Sequence, residues 1–315
     1  MHSLEAECRE LEAAGLIDRA RAEDFLAVER GTVFSVSEEL RFALYASVAG
    51  ITAGIGLLVK ANIARLDAVS LALVLALIAA LCYASAIRTR LLGRERRLGG
   101  DYVLLLGALV LSADVGYVES QWHWLGANWS WQLIALAVFH GTVAYLLDSR
   151  LVLSVALGAL AGWFGVHANP GSLLMGESAL RESGLHALAC ASVVLLLRIG
   201  HPRIAPLRNF IPVYEHFAAN VAFWGALALC FDAGTRAAGL AVLIALTTVS
   251  IRRGLATKEE SFAVYGIGYG TLGLCVVQSA FIGEPLVAAV FDLAVVVLAV
   301  AMLWRLHHRL RDGEG

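Results

Sequence analysis

Apolar residues in this chain neither alternate nor keep to one helical face. From Phe42 onward they fill whole stretches, such as "LALVLALIAALC" and "LAVVVLAVAMLW", until a short polar break resets the pattern. A segment that is apolar all round has no wet side, so hydrocarbon is its natural surrounding. Barrel strands would instead alternate apolar and polar residues over about ten positions. Ten apolar segments follow one another, near 42–59, 68–87, 102–118, 131–147, 151–167, 185–199, 217–231, 237–251, 262–282 and 285–304. Each is near the ~20 residues that carry a helix across ~30 Å of lipid. The pattern predicts an all-α, polytopic transmembrane bundle of about ten spans over residues 42–304, with the lipid bilayer as its first partner. The breaks at 148–150 and 283–284 are short enough for either two full spans or one bent hairpin.

The first forty-one residues break the pattern. "SLEAECRELEAAGLID" reads as a helix from a Ser3 cap to a Gly15 stop, and "DRARAEDFLAVERG" as a second helix from Asp18 to Gly31. Residues 1–41 are therefore expected to form a helical hairpin, too small to be stable alone. Being polar, they are not expected to include a signal peptide. Residues 305–315 are read as a tail.

Composition agrees with the pattern. The 315 residues are 59% hydrophobic and only 16% charged, against roughly 25% charged in soluble domains. A net charge of −2 says nothing about partners, and no nucleic-acid partner is expected. The five cysteines lie far apart, mostly inside apolar segments, and read as small core residues rather than a disulfide or metal set.

Where the charges sit matters more than their sum. Alternate connections hold Arg88 to Arg97, then Arg150, then Arg198, Arg203 and Arg208, then Arg252, Arg253 and Lys258. With the arginines before Phe42 and after the last span, one side holds twenty of the 24 basic residues. Because basic loops are retained inside, both termini are expected in the cytoplasm of a bacterial inner membrane. The head carries ten acids against five arginines, so docking on the basic loops, or on a cytoplasmic protein partner, is the reading for residues 1–41.

Several polar residues fall where lipid would penalise them. Asp114, His140, Gln278 and Asp292 lie inside apolar spans and are candidates for a substrate or proton pathway, because intramembrane polar groups face the bundle interior or water. The competing reading is a buried group satisfied by a neighbouring helix. A second set lies in "ESQWHWLGANWSWQ", residues 119–132. There Glu119, Gln121, Trp122, His123 and Trp124 would line the mouth of an outer pocket, although tryptophans also gather at any membrane interface. One histidine and one glutamate make no metal site. No hydrolase serine motif, phosphate loop or HExxH pattern is present, so no catalytic residue, metal or cofactor is assigned. The GxxxG pairs Gly50/Gly54, Gly158/Gly162 and Gly266/Gly270 read as helix-packing glycines.

The head motif "LEAAGLIDRARAEDFL", with Gly15, Leu16 and Ile17, precedes the spans, and Gln121, Trp122 and His123 follow the third. In this the first half of the chain resembles the bacterial predicted membrane proteins called the domain-of-unknown-function 2157 family. The resemblance implies the architecture and no reaction. In number and length the spans are also similar to drug and metabolite transporters, which lack such a head; no internal repeat is evident here. Small-molecule or ion transport through a polar, outward-opening cavity is therefore the first functional expectation. A membrane sensor or assembly factor acting through the head is the second. A membrane enzyme built on His123 or His140 comes third, without a nucleophile to support it.

Overall fold

A computed structural model describes residues 12–13, 18–19, 37–62, 67–91, 98–165, 177–204, 210–279 and 281–312. The expected hairpin of residues 1–41, with any docking partner it has, falls almost wholly outside these residues. Ten α-helices and no strand occur among the described residues: α1 Ser37–Asn62, α2 Ala68–Leu91, α3 Leu98–Trp122, α4 Trp131–Leu147, α5 Arg150–Trp163, α6 Glu177–Ile204, α7 Ile211–Phe231, α8 Arg236–Thr257, α9 Glu260–Ser279 and α10 Pro285–Asp312. Each expected span has its helix. Six of the helices, α2, α3, α6, α8, α9 and α10, are long and apolar enough to cross a membrane. The protein is a polytopic helical membrane bundle.

The tight connections separate distinct helices, and local chemistry explains why. Asp148 closes α4 in the left-handed region, at φ 48°, a conformation that short polar side chains tolerate. The buried Ser149 then opens α5, its side chain accepting the Val152 N–H. Two residues thus stop one helix, reverse the chain and start the next. At the other break, α9 ends at Ser279 and Pro285 opens α10, where its fixed φ and missing N–H are harmless. Some boundaries move outward from the apolar segments: α7 begins at Ile211 rather than 217, and α10 runs unbroken to Asp312. At 17 and 14 residues, α4 and α5 reach about 25 Å and 21 Å, short of the ~30 Å of hydrocarbon.

Successive helices form hairpins: α2 with α3, α4 with α5, α6 with α7, and α8 with α9. Arg88, Arg150, Arg198, Arg252, Arg253 and Lys258 fall at one end, the basic end. Trp122, Trp124, Trp129, Trp131 and Trp163 fall at the other, the tryptophan end. The two halves are not built alike. In the first, α3 packs against α1, α2, α4 and α5; in the second, the hub is α7, which packs against α5, α6, α8 and α9. A hub in third place and one in second place do not make two copies of one five-helix plan. The largest core cluster crosses both halves, joining Leu104 and Ala108 of α3, Leu153 and Leu157 of α5, Cys190 and Val194 of α6, and Tyr214 and Ala218 of α7.

Close approach marks the tightest crossings. A Cβ on Gly184 would meet the Gly225 carbonyl oxygen at 2.9 Å, and one on Gly225 would meet that of Gly184 at 2.8 Å. Of the expected GxxxG pairs, Gly266 and Gly270 do pack, against Thr247 and Ile251 of α8. Gly50, Gly54 and Gly158 face open space, so these pairs do not draw helices together here.

Candidate functional site

The tryptophan loop is built as an edge. After α3 ends at Trp122, His123 turns the chain at φ 49°, and the buried Glu119 accepts the Leu125 N–H at 3.1 Å. Glu119 is thereby committed to holding its own loop. Gln121 and His123 are exposed, as are the rings of Trp122, Trp124, Trp129 and Trp131. Such rings, half apolar and half hydrogen-bonding, suit a membrane interface. Of the five loop candidates, Trp122 and Trp124 meet each other, with ring centroids 6.3 Å apart.

His140 is different. It is completely buried, held between α2 and α3: its Nδ1 lies 3.1 Å from Tyr83 Oη and its Nε2 2.9 Å from Ser112 Oγ, which donates to the Ala108 carbonyl. One arrangement uses every proton. Tyr83 donates to Nδ1, the Nε2–H donates to Ser112, and Ser112 donates to the backbone. The imidazole is satisfied by its neighbours.

Asp114 lies two residues past Ser112, about 200° around α3 at 3.6 residues per turn, and so away from His140. Its Oδ1 is buried without a hydrogen-bond partner, as is the hydroxyl of Tyr117 one turn on. Asp292 and Gln278 do meet: Gln278 Nε2 donates to Asp292 Oδ1 at 2.6 Å across α9 and α10. The four span candidates therefore form three separate sites, one around His140, one at Asp114 and one at the α9–α10 edge. His140 and Asp292 share no partner.

The densest polar cluster surrounds the basic end of α7, within "VYEH" at 213–216. Three consecutive residues reach four neighbouring helices, because each residue steps 100° around α7. Tyr214 approaches Tyr145 of α4 at 3.0 Å, and Tyr145 also bonds His201 of α6 at 2.8 Å. Glu215, only 8% exposed, takes Arg198 of α6 on one oxygen at 2.7 Å and Arg253 of α8 on the other at 2.5 Å. His216 stacks on Phe262 of α9 with centroids 4.8 Å apart, and the Arg253 guanidinium lies 5.0 Å from the same ring. One turn of α7 further on, Asn220 accepts from Tyr269 of α9. Buried nitrogens without a partner accompany the cluster: Arg253 Nε, His216 Nδ1 and, deeper, Trp224 Nε1. One carboxylate shared by two guanidiniums ties α6, α7 and α8 together and leaves the site with net positive charge.

None of these residues is a sequence candidate, because the apolar run begins at Phe217 and leaves "VYEH" in the preceding loop. A signal was available. Glu215 is the single acid between Arg198 and Phe231 in a stretch holding three arginines. Among the described residues, no group of three histidine, cysteine or acidic side chains comes together as metal ligands.

The part of the chain that holds the tryptophan loop and the His140 network is also the part that matches a known family. Residues 9–153 match the family described as predicted membrane protein, DUF2157. The DUF2157 match covers α1 to α4 and ends in the first turn of α5. The polar cluster at the basic end of α7, a collar tying α6, α7 and α8 together, lies beyond it. No curated protein and no solved structure matches the chain.

Proposed function

We propose that the protein carries a small molecule or ion across a bacterial inner membrane, with both termini in the cytoplasm, and that the collar on α7 is its cytoplasmic gate. The observation behind this reading is Glu215 bracketed by Arg198 and Arg253. A charged triad inside a bundle is costly to keep for stability alone, since apolar residues of similar volume do as well or better. It suits a contact that must form and break between helices. With the triad closed, α6, α7 and α8 are held together at the basic end. At the opposite end, Asp114 and Tyr117 present buried polar atoms that no protein group satisfies, as an outward-facing polar site would. On this reading the inner end is sealed, and the unsatisfied polar atoms mark the end from which a solute would enter.

Reconstitution tests it. Purified protein in liposomes should pass current or dissipate an imposed ion or solute gradient faster than empty liposomes, over a panel of protons, alkali cations, organic cations and organic anions. Glu215→Gln should unlatch the inner end and change that rate several-fold. A wild-type protein no faster than empty liposomes over the whole panel would exclude transport.

A further inference from the structure

A cavity of about 310 Å3 lies between three helices of the first half, lined by Tyr45, Val48 and Ala49 of α1, Leu105 and Leu109 of α3, and Leu151, Ser154 and Val155 of α5. On each helix the lining residues are one turn apart, and α1, α3 and α5 all start at the basic end. The space therefore runs along the helices for about one turn, some ~6 Å per four residues, within the basic half of the bundle. Its wall offers almost nothing polar. The Ser154 hydroxyl already donates to the Arg150 carbonyl at 3.2 Å, so whatever fills the space is apolar. Water is a poor tenant, because it needs two to four polar partners, and an empty void forfeits the contacts of its walls.

The cavity's mouth is charged. Arg150, exposed, opens α5 one turn before Ser154. Asp101 stands one turn before Leu105 on α3. Arg150 is thus a cation at the edge of an apolar slot, at the end of the bundle where Arg88, Arg198, Arg252 and Arg253 also lie.

We infer that this cavity is a lipid site, holding an acyl chain of an anionic phospholipid from the leaflet at the basic end while Arg150 faces the phosphate. The slot itself cannot choose among lipids, because every tail is equally apolar. Selection comes from the headgroup, and basic residues at the membrane surface favour anionic lipid. The loose seating of α1 agrees with a lipid-filled joint: its small-residue pair Gly50 and Gly54 meets nothing within 4 Å.

Native mass spectrometry of the full chain, stripped of lipid and titrated with an equimolar mixture of phosphatidylglycerol and phosphatidylcholine, tests the site. The wild type should retain phosphatidylglycerol roughly fivefold over phosphatidylcholine, the effect of one basic residue at the surface. Arg150→Gln should keep a bound lipid but bring the ratio near one. Ala49→Phe fills the slot from α1 and Ser154→Phe fills it from α5, and both positions are exposed enough to accept the ring. Each should retain no more lipid than background, whereas Leu57→Phe, on the exposed side of α1, should behave as wild type. Equal retention of the two lipids by the wild type overturns the headgroup contact. Undiminished lipid in both slot-filling variants overturns the site. A lipid-free wild-type dimer that becomes monomeric on Ala49→Phe would assign the slot to a second copy of the chain and overturn the inference as well.

Discussion

His140 and Glu215 are both buried and both hydrogen-bonded from two sides, yet their loss should read differently. His140→Leu leaves the hydroxyl of the half-buried Tyr83 without its acceptor, which costs about 1–3 kcal/mol, the lower end applying if water reaches it. Thermal unfolding in detergent should show the loss, and adding Tyr83→Phe should recover part of it, since the pair acts as a unit. If the double variant is as unstable as the two single losses summed, the hydrogen bond is not what His140 supplies. Glu215→Gln strands two guanidiniums rather than one hydroxyl. Breaking a fully buried pair costs 3–5 kcal/mol, but the side chains of Arg198 and Arg253 are 35% and 40% exposed, and solvent lowers that cost. Arg253→Leu should be the milder variant, because Arg198 still pairs with the carboxylate. The sequence exposed His140 plainly, a lone polar residue in an apolar run. Its partners Tyr83 and Ser112 could not be read, because each lies on another helix and neither is unusual where it stands.

At the scale of elements, small residues hold the bundle together only where another backbone arrives. Gly184→Ala would push a methyl group to 2.9 Å from the Gly225 oxygen, and overpacking of this kind costs about 1–3 kcal/mol. Gly54→Ala, in open space, should leave the melting temperature unchanged or raise it slightly through helix propensity. Equal effects from the two would mean that the α6–α7 crossing is looser than its geometry implies. The motif GxxxG is present at positions 50/54, 158/162 and 266/270, and only the last pair packs as such, whereas Gly184 and Gly225 belong to no motif. Spacing shows which face of a helix is small. It does not show which helix will face it. The α9–α10 contact follows the same logic: Asp292→Asn keeps an oxygen to accept from Gln278 and should be tolerated, while Asp292→Leu should loosen α10 and lower the melting temperature.

For the whole molecule, the ten apolar segments were legible because lipid leaves few ways to satisfy a backbone. All ten are helices here, including the pairs divided by two-residue and five-residue breaks. Element ends were less legible. An apolar threshold stops at the first polar residue, so α7 lost its first six residues, and with them the collar. The proposed orientation has a direct check: reporters fused after Arg208 and Arg311 should report cytoplasm, and one near Asn128 the exterior. A cytoplasmic signal at Asn128 would reverse the gate from inner to outer.

The contrast between α7 and α10 bears on how the chain is made. Along its apolar span α10 has no buried residue, and it rests mainly on α9; its greasiness alone would deliver it from the translocon into lipid. The collar makes α7 the opposite. It carries Glu215, His216 and Asn220 and is not among the helices apolar enough to cross unaided. During synthesis it must be sheltered until its neighbours emerge. Arg198 arrives before Glu215 and Arg253 after it, so the carboxylate leaves the ribosome with one partner already made and waits for the second. In a glycosylation-based insertion assay, α10 alone should integrate, α7 alone should fail, and α6 with α7 should recover in part. Full insertion should follow only when α8 brings Arg253.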